Sequence, residues 1–240
     1  MKKQAISNVI CPTKNLQTKV MQVAQTETRG LILREVDYGE SSKIFTALSA
    51  EMGKLSFIAN GVRKNRSGLT SAQLFSYNNY IINQSRGGAY SLSASDRLRS
   101  FGGIAQDIEN FAYAAYFADV ALNLAQEDSP EPQLLSLLLN TFYVLSEGKL
   151  TPKQAKPVFE LRSMVACGFA PNDEVCEQYG AKGGLLKAMR YIIQADDKKI
   201  FAFAMSDEGV DALGRITEVY LADNLGKNLK TLEYLKKFVF

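Results

Sequence analysis

The residues best suited to chemistry in this chain are cations. Gly61-Val62-Arg63-Lys64-Asn65-Arg66-Ser67-Gly68 places three of them between two glycines, with Asn65 and Ser67 as further donors. Flexible cations grouped in this way neutralise phosphates without reading base sequence, because charge is all they present to a backbone oxygen. The plainer alternative is a solvated loop. No acid occurs between Glu51 and Asp96, whereas Lys54, Arg63, Lys64, Arg66 and Arg86 all fall inside that interval. Phe57, Phe75, Tyr77 and Tyr80 flank the loop in sequence. A basic groove beside aromatic platforms suits single-stranded nucleic acid, although in a small barrel the same rings serve as core.

Bond-making chemistry is sparsely supplied by comparison. The 240 residues contain no histidine, which removes every Ser-His-Asp or Cys-His nucleophile and every imidazole metal ligand. A general acid or base would have to be Asp, Glu, Lys, Tyr or Cys. Cys11, Cys167 and Cys176 form no CxxC pair and are too few for a disulfide framework, which fits a reducing compartment. Gly-Lys pairs at 53–54, 148–149 and 226–227 are followed by Leu, Leu and Asn, where a phosphate-binding loop requires Ser or Thr. Asp107, Glu109, Asp119, Glu127 and Asp128 read as polar helix faces, and none clusters beside the basic loop, so a metal-dependent nuclease is disfavoured. We assign no catalytic residue, no metal and no cofactor.

Short strands must carry the basic loop. Segments rich in Ile, Val, Phe, Tyr, Leu, Ser and Thr at Thr28–Val36, Ser42–Ser49, Leu55–Asn60, Leu74–Asn83 and Ala89–Leu98 alternate with turn signals. Asp37-Tyr38-Gly39-Glu40 and Glu51-Met52-Gly53-Lys54 are the first two turns, and Gln84-Ser85-Arg86-Gly87-Gly88 closes a hairpin carrying Arg86. Five strands in about seventy residues suit a small closed barrel, and the OB-fold is the five-stranded one that binds oligonucleotides. From Ile104 the apolar spacing changes to three and four, which predicts a helix from there through Leu124. Further helices are predicted from Ser129-Pro130-Glu131 through Leu145 and from Thr151 to about Cys167, with Gln154 completing a capping box and Gly168 as the stop. Leu185–Ala195, Glu208–Asn224 and Leu229–Phe238 complete the helical set. The expected class is α+β, an N-terminal five-stranded OB-fold barrel followed by an α-helical domain.

Charge divides the chain at nearly the same places. Residues 1–25 carry +4, 26–100 carry +4, 101–180 carry −7 and 181–240 carry +2, within a net charge of +3. The expected units are a mobile basic tail (1–24), a nucleic-acid-binding OB-fold (25–100), an acidic helical domain (101–180) and a C-terminal helical segment (181–240) packing on it. No stretch is long and apolar enough for a membrane span, and the first twenty residues lack the apolar core of a secretory signal, so a cytoplasmic location is expected.

Several of these segments resemble the bacterial RecO family of DNA repair and recombination mediators. The resemblance runs from about Gln25 to Pro171. It is carried by Gly30-Leu31-Ile32-Leu33-Arg34-Glu35-Val36-Asp37-Tyr38-Gly39-Glu40-Ser41-Ser42-Lys43-Ile44, by Glu51-Met52-Gly53-Lys54 and by Ala59-Asn60-Gly61-Val62-Arg63-Lys64-Asn65-Arg66-Ser67. Phe159-Glu160-Leu161-Arg162 and Gly168-Phe169-Ala170-Pro171 with Cys176 are similar to the family's helical region and its exit.

The resemblance implies a non-catalytic protein that binds single- and double-stranded DNA and anneals complementary strands coated with single-strand binding protein. It also implies action with RecR to help load RecA, and docking of the acidic, hydrophobic C-terminal tail of single-strand binding protein on the helical domain, with Arg162, Lys156 or residues 181–240 as the source of cations. Lys54, Arg63, Lys64 and Arg66 lie in the matching signature and take the DNA-binding role. Arg34 and Lys43 join them, although as strand residues they could pair with Glu35, Glu40 or Glu51. Arg86 is added from its charge and loop position, since the loop between strands four and five commonly contacts ligand in OB-folds. Many family members carry a four-cysteine zinc module after the exit. Here Cys176-Glu177-Gln178-Tyr179 has a tyrosine at the second ligand position, so no zinc site is expected. Cations and rings serve RNA equally well, and an RNA-binding OB protein is the alternative that only the family signatures disfavour.

Overall fold

The structure is a computed structural model that describes residues 25–64 and 72–238. The expected basic tail, Cys11, Arg66 and its loop neighbours Asn65, Ser67 and Gly68 lie outside the described residues. Five strands, β1 (Gln25–Tyr38), β2 (Ser42–Ser49), β3 (Gly53–Ala59), β4 (Ser76–Gln84) and β5 (Tyr90–Ser100), close into a barrel in the order β1-β2-β3-β5-β4. β1 spans two partners: its first half pairs with β4 and its second with β2, and an irregularity between Ile32 and Arg34 bends it between them. The barrel shuts through a short parallel contact in which Phe57 and Ile58 face Tyr90 and Ser91.

Alternation sends Ile32, Phe45, Ala47, Leu55, Phe57, Ala59, Tyr80, Ile82 and Leu92 into the barrel interior. Phe57 packs between Phe45 and Tyr80, with ring centroids at 5.9 and 5.1 Å. Three of the four rings considered as stacking platforms are therefore core: Phe57 and Tyr80 fill the barrel, and Phe75 packs on Phe142 of the helical region, while Tyr77 is half-buried against the same core. A five-stranded barrel has so little interior that its aromatic rings are needed to fill it.

A short 3-10 turn (Gly102–Gln106) leads into helices α1 (Ile108–Leu124), α2 (Pro132–Ser146), α3 (Pro152–Ala166), α4 (Asp173–Gln178), α5 (Gly184–Gln194), α6 (Asp207–Leu225) and α7 (Lys230–Phe238). The first helix starts four residues later than its apolar spacing suggests, because Asp107 caps it by accepting from the Asn110 amide at 2.7 Å. Pro132, rather than Pro130, stands in the first turn of α2. The expected box at α3 forms, with Thr151 and Gln154 capping each other. α4 has no counterpart in the expected helices; it is a single capped turn, held by Asn172 accepting from the Val175 amide.

Barrel and helices share one core and a backbone seam. Phe75 and Phe101 both meet the ring of Phe142 edge-on, at 5.0 and 5.8 Å. At the β2–β3 turn, the Lys54 amide donates to Gln126 O at 2.9 Å and the Glu131 amide to Ala50 O at 3.1 Å. Gly53 sits between these bonds with φ +62, where a Cβ would stand 2.2 Å from Ser129 O and 2.3 Å from Gln126 O, so only glycine fits.

Within the helical region, Glu160 of α3 is completely buried. It accepts from Tyr116 of α1 at 2.5 Å, from Thr217 of α6 at 2.6 Å and from Lys156 at 2.8 Å. Lys156 reaches on to Glu218 at 3.1 Å, and Glu218 accepts from Lys236 of α7. Replacing Glu160 by Ala strands three donors in low dielectric, and we expect a loss of about 3–5 kcal/mol in urea denaturation. Glu160→Gln keeps the acceptor oxygen and should cost visibly less.

Candidate nucleic-acid interface

Strand register places three connections at one end of the barrel. Tyr38 pairs with Ser42 across the β1–β2 turn, Lys43 faces Ala59 at the end of β3, and Phe57 faces Tyr90 beside the β4–β5 turn. The chain leaving β3 is tied back to the first of these turns, since the Arg63 amide donates to Ser41 O at 3.0 Å. Gly61, at φ +72, makes that reversal possible. Arg63, Lys64, Lys43 and the turn bearing Arg86 thus share one rim.

Each of the first three meets an acid there. Arg63 lies 3.4 Å from Asp37 and donates to Gly39 O at 3.3 Å; Lys64 lies 3.6 Å from Glu40; Lys43 lies 2.7 Å from Glu35. An interval without acids in sequence is therefore acid-lined in space, because the β1–β2 turn folds against it. The Asp37 and Glu40 pairs are solvent-exposed, the class of contact that contributes little and exchanges readily for a phosphate oxygen.

Lys54 is separated from this group. It stands at the start of β3, roughly 20 Å from the rim at about 3.3 Å per residue. Arg34 is opposite Thr46 on the outer face of β1 and β2, whose neighbour across the sheet is Ser56. Arg34, Thr46 and Ser56 thus form one row across the three strands, between the rim that holds Arg63 and Lys64 and the far end, where Lys54 faces Leu48, itself buried in the core shared with the helices. OB-folds in general hold oligonucleotides on the strand 2–3 face and on the strand 1–2 and 4–5 loops. Tyr38, the last residue of β1, is an exposed ring that the turn signal in sequence concealed; a tyrosine in a run that otherwise needs only turn formers was the available clue.

In the helical region, Arg162 is committed to structure, donating to Ile192 O and Ile193 O and pairing with Asp197 at 2.5 Å. Between α3, α6 and α7 an opening with an apolar floor of Pro157, Val210 and Leu232 is rimmed by Lys153, Lys156, Arg215 and Lys236 together with Asp211 and Glu218, Lys153 pairing with Asp211 at 2.7 Å and Lys156 and Lys236 with Glu218.

A family model described as the N-terminal domain of recombination protein O matches residues 21–101, and one for the C-terminal domain matches 105–185. A DNA repair protein RecO of Acetivibrio thermocellus is 30% identical over 241 residues, covering 88% of this chain and 96% of its own. The chain belongs to the RecO family. Two further RecO proteins, of Exiguobacterium sibiricum and Bacillus subtilis, are 35% and 31% identical over 156 and 160 residues, covering 65% and 66% of this chain and 62% of each relative. Membership makes the barrel an OB-fold and the protein part of a DNA repair and recombination family.

The zinc module of many RecO proteins does not fit the residues here. Among the described residues no three His, Cys, Asp or Glu side chains converge as a ligand set. Where a second cysteine would stand, Tyr179 packs edge-on against Tyr220 at 5.1 Å and donates to Asp223 at 2.9 Å, while Tyr220 donates to Phe169 O at 2.8 Å. Burial, with Glu131 nearby, pushes the Cys167 thiol up to about 11, and burial likewise raises Cys176, so both stay protonated at neutral pH.

Zinc or a chelator should leave the melting temperature unchanged; a fall of several degrees on chelation would show a site that these side chains do not build. At the rim, Asp37→Asn with Glu40→Gln should raise affinity for a labelled single strand about two- to tenfold, the worth of two exposed ion pairs. Unchanged anisotropy titrations would show that the carboxylates do not compete with DNA.

Proposed function

We propose that this RecO protein is a non-catalytic mediator that binds single- and double-stranded DNA through its barrel, anneals complementary strands and helps load RecA on DNA coated with single-strand binding protein, acting with RecR. The observation that carries the reading is the meeting of Arg63, Lys64 and the Arg86 turn at one OB-fold rim, with Arg34 on the adjoining outer face of β1. Annealing requires that repulsion between two phosphate backbones be lowered while bases stay free to pair. Cations at a rim meet that requirement, since they neutralise charge without engaging base edges.

The tail of single-strand binding protein, acidic and hydrophobic, fits the opening between α3, α6 and α7. Its apolar side chains suit Pro157, Val210 and Leu232, and its carboxylates suit Arg215 and, in exchange for Asp211 and Glu218, Lys153 and Lys236. The net negative charge of 101–180 is no obstacle, because two of these three cations come from the C-terminal segment. No helix among the described residues is long and apolar enough to cross a membrane. A cytoplasmic, nucleoid-associated protein is consistent with this reading.

Replacing Arg63, Lys64 and Arg66 together by Ala should weaken binding to all sequences alike. It should also flatten the dependence of log affinity on log salt, by about 0.9 per lost phosphate contact on duplex and about 0.7 on single strands. Annealing of coated complementary strands, without nucleotide or metal, should fall in parallel. Full affinity in the triple variant would remove the rim from the interface, and tight RNA binding without annealing would move the protein to RNA metabolism.

A further inference from the structure

The outer face of the barrel carries apolar surface that the cations do not account for. Tyr38 is 53% exposed and Val36 52% exposed, two residues apart on one face of β1. Val36 stands directly opposite Ile44, and Ile44 directly opposite Ile58, so the three side chains form a row across β1, β2 and β3 with Tyr38 at its outer corner. The aromatic rings of the barrel otherwise turn inward or lie half-buried, so Tyr38 is the exposed ring of the barrel among the described residues. Tyr38 ends β1, and its ring belongs to neither core cluster.

The surroundings of this row select its occupant. Asp37 holds Arg63 on one side of Tyr38, and Glu40 holds Lys64 two residues beyond it. Arg34 lies on the same face two residues before Val36. Positive charge therefore flanks an apolar strip tipped by a ring, which is complementary to a chain that alternates phosphates with flat apolar bases. A protein partner or a second copy of this chain would have to bring acids to both ends of the row, whereas a nucleic acid strand carries them at every residue.

We propose that Tyr38, backed by Val36, Ile44 and Ile58, is a base-stacking platform that gives the barrel its preference for single strands over duplex. The inference rests on the DNA-binding reading given above and adds a discriminating residue to it. In a duplex the base faces are already stacked on one another, so only an unpaired strand can lay a base on the Tyr38 ring. Duplex binding then draws on the cations alone.

The chain contains no tryptophan, so Tyr38→Trp provides a lone indole at the platform. Titrating this variant with a single-stranded oligonucleotide should quench and shift its emission, and the same sequence as duplex should change it little. Tyr38→Ala should lower single-strand affinity about tenfold, within the range for loss of one stacked base, and leave duplex affinity within about twofold. Tyr38→Phe should bind as the parent does. Because the side chain is exposed, the melting temperature of all three should match the parent. Equal losses on both DNA forms, or no loss in Tyr38→Ala while Arg63→Ala with Lys64→Ala does weaken binding, would overturn the platform and leave the DNA-binding reading intact. Loss of self-association in Tyr38→Ala at unchanged DNA affinity would overturn it in favour of a second copy. Unchanged affinity in the Arg63→Ala, Lys64→Ala pair would overturn the reading beneath it.

Discussion

Glu160 is the carboxylate on which the helical region turns. Taking it fully out of water is favourable only because three donors from α1, α3 and α6 arrive together. Any sliding of one helix by a residue would leave the charge uncompensated, so the network sets register where apolar packing alone would tolerate several. Its consequences spread outward. Burial would lower the Lys156 ammonium, but Glu160 and Glu218 overcome this and raise it, while burial and the Glu160 charge push Tyr116 up well beyond neutrality. Burial acts to raise Glu218, yet Lys236 and Lys156 hold it below the ordinary range. The network's outer members Lys156, Glu218 and Lys236 line the opening between α3, α6 and α7.

The barrel rim follows the opposite rule. Its Arg63–Asp37 and Lys64–Glu40 pairs are exposed, loosely spaced and individually weak, which suits groups that must change partners. One chain thus uses the same chemistry twice: carboxylates and ammonium groups lock helices where water is excluded, and they act as exchangeable placeholders where water is present. Dielectric, rather than residue type, separates the two roles.

The sequence showed the strands well because turn residues punctuate them. Ser42–Ser49 was legible to the residue, and the Thr151–Gln154 cap was legible from spacing alone. α4 was not, since six residues of Asp-Glu-Val-Cys-Glu-Gln show no helical apolar period and depend on the Asn172 cap. The candidate site was legible as a set of residue types but not as an arrangement. Nothing local to Arg63 or Lys64 announces Asp37 and Glu40, which reach them only through barrel closure. Likewise Glu160 reads as a polar helix residue until Tyr116 and Thr217 are folded onto it. For Phe57, Phe75 and Tyr80 the core was the favoured role in sequence and is the one they take, because a small barrel needs their volume.

The seam at Gly53 makes the junction between barrel and helices a strut rather than a tether. Backbone bonds from Ala50 and Lys54 to Glu131 and Gln126 leave no free linker whose length could vary. Two ligands joined by a flexible spacer dilute one another, with an effective concentration that falls roughly as the −3/2 power of spacer length. A strut presents its second site at one vector from the first, so a strand held on the barrel and a peptide held among α3, α6 and α7 would meet with no search volume between them.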